Sequence, residues 1–195
     1  TGSRVSAFSP GQMVPVGFFA KRLGGNDGWL PSHVHEICSV SRCMATVPDD
    51  WILSWQHNKY FFFDSEAIAC EIASSLAPDF DVFAYRVLPR RFDKIGETEI
   101  TINAPFVQSI SDNYRLIGYD AVECWQALEK GMPIECSPLS CNQMAEEVAV
   151  NRFCLIDDFD AALETTRRFG LETDGVEPGP YYLFEVWRRV ERADG

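Results

Sequence analysis

The chain carries several short phrases twice, in the same order, and this duplication narrows the possible folds more than any other feature. Cys38-Ser-Val-Ser-Arg-Cys43 returns as Cys136-Ser-Pro-Leu-Ser-Cys141, both of the form C-S-x-x-x-C. Asn58-Lys-Tyr-Phe-Phe-Phe-Asp64 returns as Asn151-Arg-Phe-Cys-Leu-Ile-Asp157. Upstream, Val14-Pro-Val-Gly17-Phe18 resembles Arg115-Leu-Ile-Gly118-Tyr119, and at the far end Val82-Phe-Ala-Tyr-Arg86 resembles Leu183-Phe-Glu-Val-Trp-Arg188. Partners lie roughly 100 positions apart, with small differences that imply short insertions, as expected of two copies of one structural unit.

Local chemistry predicts the same elements in each copy. Val47-Pro48-Asp49-Asp50 reads as a helix start, with proline in the first turn and carboxylates near exposed amides. In the second copy Ser140-Cys-Asn-Gln143 has the spacing of a capping box. Asn58 and Asn151 are placed where a left-handed residue would end each helix. The apolar runs Tyr60 to Phe63 and Phe153 to Ile156 read as buried strands. Asp64 and Asp157 then read as N-caps of a second helix. Its inward face is Ile68, Ala69, Ile72, Ala73 and Leu76 in one copy, and Phe159, Ala162, Leu163, Thr166 and Phe169 in the other. Strands Asp81 to Leu88 and Tyr181 to Arg188 close the copies.

The expected architecture is therefore α+β, a tandem duplication of a β-β-α-β-α-β unit with two pseudo-symmetric halves packed together. The first unit spans 13–91 and the second 114–195, each small for an independent core. Residues 1–12, rich in Gly, Ser and Pro, read as a flexible arm or an expression remnant. The linker 92–113 contains Glu99-Ile-Thr-Ile-Asn103, whose alternation predicts an extra strand.

Function is approached by elimination. The 195 residues carry 17 basic and 29 acidic side chains, a net charge of −12 that disfavours nucleic acid as partner. No apolar stretch approaches membrane-spanning length. Seven scattered cysteines read as reduced, buried thiols, which places the chain in the cytoplasm. His33 and His35, followed by Cys38 and Cys43, offer zinc-ligand types, but the cysteines recur in the second copy without histidines, so no metal site and no cofactor is expected. Cys136 or Cys141, the latter in the first turn of an expected helix, could serve as a nucleophile only if a histidine from the first copy (His33, His35 or His57) reached across. Leu23-Gly-Gly-Asn-Asp-Gly28 lacks the residues of a phosphate loop and reads as a turn. Glu177-Pro-Gly-Pro180 reads as a rigid turn into the last strand, and Trp125 as an exposed contact residue.

The acid is concentrated in residues 115–177, with thirteen Asp and Glu against five Lys and Arg. Glu146, Glu147, Asp157, Asp158, Asp160 and Glu164 are therefore the expected contact surface for a basic protein partner. The leading expectation is a non-enzymatic, cytoplasmic binding protein, such as an inhibitor or immunity-type protein. The alternative is an enzyme or small-ligand binder with a cysteine-containing site in the cleft between the units.

Overall fold

The computed structural model describes residues 9–41, 45–46, 57–76, 80–104, 106–124, 128–130, 136–171 and 175–190. These form one antiparallel sheet of eight strands: β1 (Val14–Gly25), β2 (Glu36–Ile37), β3 (Ala45–Thr46), β4 (Asp81–Val87), β5 (Arg90–Asp93), β6 (Gly96–Glu99), β7 (Tyr114–Glu123) and β8 (Tyr181–Arg189). The order runs β2-β1-β4-β8-β5-β6, with β3 also against β1 and β7 also against β8. Helices α1 (Glu66–Leu76), α2 (Pro138–Cys141) and α3 (Phe159–Leu171) accompany the sheet, so the fold is α+β as expected. No helix among the described residues is long and apolar enough to cross a membrane.

Side chains alternate along β8 and so feed two cores. Tyr182, Phe184 and Val186 join the cluster that contains Ala69 and Ala73 of α1. Tyr181 and Leu183 join the other, which contains Phe159, Ala162, Leu163 and Phe169 of α3. One long helix thus covers each face. The inward face of α3 is the one expected from its spacing, and each large side chain on it contributes about 2 kcal/mol by leaving water. In α1, by contrast, Ala69 and Ala73 are buried while Ile68 and Ile72 stay partly accessible. β8 is the centre of the arrangement: it pairs with β4 from Phe83↔Arg188 to Val87↔Phe184, with β7 along its other edge, and with β5 at Tyr181.

Several local expectations are corrected. The runs Tyr60 to Phe63 and Phe153 to Ile156 are turns, not strands, and only their last residues bridge to the sheet, Phe63 to Phe18 and Ile156 to Tyr119. The left-handed residues are Phe61 and Cys154, inside these turns, and not Asn58 or Asn151. A local side-chain bond explains the difference, because each Asn captures the amides of the turn that follows it and leaves no need for an αL stop. Asp64 and Asp157 stand one residue before the N-caps. Ser65 Oγ accepts from Ile68 N at 3.3 Å, and Asp158 Oδ1 accepts from Ala161 N at 2.9 Å.

The capping box at Ser140 is absent as well. Helix α2 has Ser137 as N-cap and lasts four residues, and Ser140 lies inside it, bonded back to Ser137 O at 3.4 Å. Proline at its first position explains the earlier start. A 3₁₀ turn, Met144–Glu146, follows. The hairpin β5–β6 begins at the end of the first unit and runs into the linker, and it includes only Glu99 of the proposed strand Glu99 to Asn103. β1 runs on through Gly25, so only the end of the segment 23–28 is a turn, held by Asn26 Oδ1 accepting from Gly28 N at 3.0 Å. The helix expected from Val47 and the contact residue Trp125 lie outside the described residues, as does Cys43.

Candidate functional site

Two glycines open the sheet to the turns beside it. In β1 the register shifts between Pro15 and Gly17, and in β7 between Leu116 and Gly118. Gly17 has φ +143° and Gly118 φ +145°. A Cβ at Gly17 would lie 2.5 Å from Phe62 Cβ, and one at Gly118 would lie 2.7 Å from Leu155 Cβ. Glycine alone permits both the backbone angle and the approach.

Each turn is then organised by its asparagine. Asn58 donates through Nδ2 to Val16 O (2.9 Å) and Asp64 Oδ1 (3.0 Å), and its Oδ1 accepts from Tyr60 N (2.9 Å) and Phe62 N (3.3 Å). Asn151 donates to Ile117 O (2.8 Å) and Asp157 Oδ1 (2.7 Å), and accepts from Phe153 N (2.9 Å) and Leu155 N (3.3 Å). Glycine, asparagine and aspartate therefore form one device at each place, and Asp64 and Asp157 serve as its acceptors.

The repeated C-S-x-x-x-C phrase is used through its serines, which sequence reasoning passed over in favour of the cysteines. Ser39 Oγ donates to Asp120 Oδ2 at 2.7 Å and Ser137 Oγ to Oδ1 at 2.5 Å, so both oxygens of one buried carboxylate are held by the two phrases. Val40 N adds a third bond at 2.8 Å. Lys21, also fully buried, donates to Ser39 O and lies over the rings of Phe83 and Tyr85 at 5.1 and 5.7 Å. Burial pushes the Asp120 carboxyl above its ordinary range, while the serines, Val40 N and Lys21 pull it back down. The recurrence of Ser39 and Ser137 was the available sequence signal.

Burial pushes Cys38 and Cys154 up to about 12, so both are protonated at neutral pH. Cys136 Sγ lies 3.5 Å from Asn142 Oδ1, and Cys141 Sγ lies 3.8 Å from Ser140 Oγ. His33 Nε2 is 2.9 Å from Val150 O, and His57 stacks on Phe61 at 4.9 Å. No group of three or more His, Cys, Asp or Glu side chains suited to a metal occurs among the described residues.

All six acidic contact candidates are exposed. Asp157 and Asp158 have the structural duties given above, and Glu164 forms an ion pair with Arg167 at 3.8 Å. Glu146 and Glu147 stand on and just after the 3₁₀ turn, Asp160 in the first turn of α3, without an ion-pair partner among the described residues.

A groove of about 930 Å³ lies along the start of β7. Its floor and walls include Arg115 to Gly118, Asn151 to Phe153 and Arg188 to Val190, with Asp81 and Asp157 at its sides; neither Cys136 nor Cys141 lines it. Arg188 is bonded to Glu36 at 2.7 Å and to Asp81 at 3.0 Å, and Arg189 to Glu66 at 3.2 Å. The Arg152 guanidinium lies 4.6 Å from the centre of the Phe153 ring. Neither Arg115 nor Arg152 meets a carboxylate among the described residues.

No family model matches the chain, and neither a curated protein nor a solved structure matches it.

Proposed function

We propose that the chain is two copies of one unit, 13–91 and 114–195, joined by the linker 92–113, and that it works in the cytoplasm as a non-catalytic binding protein. Its partner is a basic protein, which it masks as an inhibitor or immunity-type protein would. The duplication is supported by the two glycine–asparagine–aspartate devices, each placed beside a register shift and a turn with one left-handed residue. It accounts for the recurring residues as framework.

The binding role is carried by one observation: Glu146, Glu147 and Asp160 are exposed carboxylates without an ion-pair partner among the described residues. Uncompensated charge of one sign steers an oppositely charged partner and makes association salt-sensitive. Cys136 and Cys141, the thiols on which the enzyme alternative would rely, do not line the groove along β7.

The test is capture from the native host at low and high salt, comparing the natural chain with Glu146→Lys, Glu147→Lys and Asp160→Lys combined. A basic protein retained at low salt by the natural chain and lost by the variant is the expected result. Equal retention by both, with matching thermal melts, would sink the acidic-surface reading.

A further inference from the structure

We propose that the groove along β7 receives an extended acidic segment of a partner protein, gripped by the guanidinium groups of Arg115 and Arg152. The inference rests on the two-unit reading for its geometry and on charge for its chemistry. On the first unit, the surface beside the Asn58 turn is covered by this chain's own linker. Asn103 exchanges hydrogen bonds with the Tyr60 hydroxyl, its N donating at 2.8 Å and its O accepting at 3.3 Å. Gln108 N donates to Asp64 O at 2.9 Å, and the Gln108 side-chain oxygen accepts from Glu66 N at 3.2 Å. Ile102, Val107 and Ile110 pack beneath against the core.

The matching positions on the second unit are Phe153 for Tyr60 and Asp157 for Asp64, and both line the open groove. A surface that takes an irregular strap of main chain in one copy is thus left uncovered in the other by the described residues. Its volume lies in the range of clefts that hold a ligand.

The two places differ in charge, and that difference selects the occupant. Where the first unit has Val14 and Lys59, the second has Arg115 and Arg152. Four arginines line the groove, but the carboxylates of Glu36, Asp81 and Glu66 already hold Arg188 and Arg189. Arg115 and Arg152 are exposed and lack such partners among the described residues, in a chain whose net charge is −12. Planar guanidinium forks suit carboxylates, and the half-buried Phe153 ring offers apolar contact between them. The Asp157 carboxylate, already accepting from Asn151, bounds the groove and disfavours an acidic side chain at that end.

The probe is a fluorescein-labelled heptapeptide of alternating glutamate and valine, with a lysine–valine counterpart, read by fluorescence anisotropy. The glutamate peptide should saturate the natural chain, the lysine peptide should not, and Arg115→Gln combined with Arg152→Gln should weaken binding at least tenfold with an unchanged melt. The proposal is overturned if the glutamate peptide fails to bind, if the double variant binds it equally, or if pyrophosphate displaces it at equimolar concentration, which would mark a small-anion site. Stabilities of Asn58→Ala and Asn151→Ala, measured alongside, separate the two readings. Similar losses with no peptide binding remove the groove proposal alone, whereas peptide binding with a loss at only one asparagine removes the two-unit reading alone.

Discussion

Asn151 makes four hydrogen bonds from one side chain, and their removal can be dissected because the two ends of the amide do different things. Replacement by Ala leaves Ile117 O, Phe153 N and Leu155 N without their partner in a half-buried turn. At about 1 kcal/mol net per bond, reduced where water can enter, Asn151→Ala should cost about 2–3 kcal/mol. Asn151→Asp retains the two accepted bonds and loses the two donated ones. It also sets a second carboxylate at the 2.7 Å now spanned to Asp157 Oδ1. Two unit charges that close repel by about 1.5 kcal/mol in the dielectric of water, the appropriate limit for an exposed group, so the total is about 3 kcal/mol at pH 7.

The two variants diverge in acid. Repulsion raises the folded-state pKa of the introduced pair above its unfolded value of about 4. Stability from such a pair is fully present below the unfolded value and is lost as pH rises through the folded one. The deficit of Asn151→Asp relative to the natural chain should therefore shrink between pH 7 and pH 4, while that of Asn151→Ala stays level. Urea unfolding followed by tryptophan fluorescence at both pH values measures each deficit. A loss below about 0.5 kcal/mol for Ala, or a pH-independent deficit for Asp, would refute the assignment of Asn151 as the organiser of its turn.

Further outcomes follow from the buried groups. Gly17→Ala and Gly118→Ala should each lower stability by about 2–4 kcal/mol, combining a disfavoured φ with a contact under 3 Å; urea melts with losses below 1 kcal/mol would show that the backbone relaxes freely there. Asp120, pushed up by burial, favours the folded chain in acid and loses that contribution as pH rises through its folded value. The melting-temperature advantage of the natural chain over Asp120→Asn should therefore widen from pH 7 to pH 4, and a constant or narrowing gap in calorimetric scans would contradict the burial argument.

The long strands and α3 were legible because hydrophobic spacing reports burial directly: Phe159, Ala162, Leu163, Thr166 and Phe169 all face inward. The runs after Asn58 and Asn151 misled for a physical reason. Four apolar residues in a row look the same whether they form a buried strand or a buried turn, and a side-chain bond decided between them. The buried serine–aspartate cluster was hidden because the recurring phrases repeat their serines but not the acid: two positions after Gly118 stands Asp120, two positions after Gly17 stands Phe19. The groove was hidden more deeply, since Arg115, Arg152 and Arg188 are far apart in sequence and meet only through sheet pairing and the turn beside it.

The position of β8 has a consequence for how the chain reaches its native state. It follows every other described strand in sequence, yet it is the second neighbour of β4 and β5 and the strand partner of β7. A ribosome that has released the first seven strands has still not delivered the one that joins them, and the aromatic and branched residues of β4 and β7 wait with an unfilled edge. Folding of this kind is slow because its decisive contacts are distant in sequence, and the waiting intermediate is the species most in need of protection from self-association.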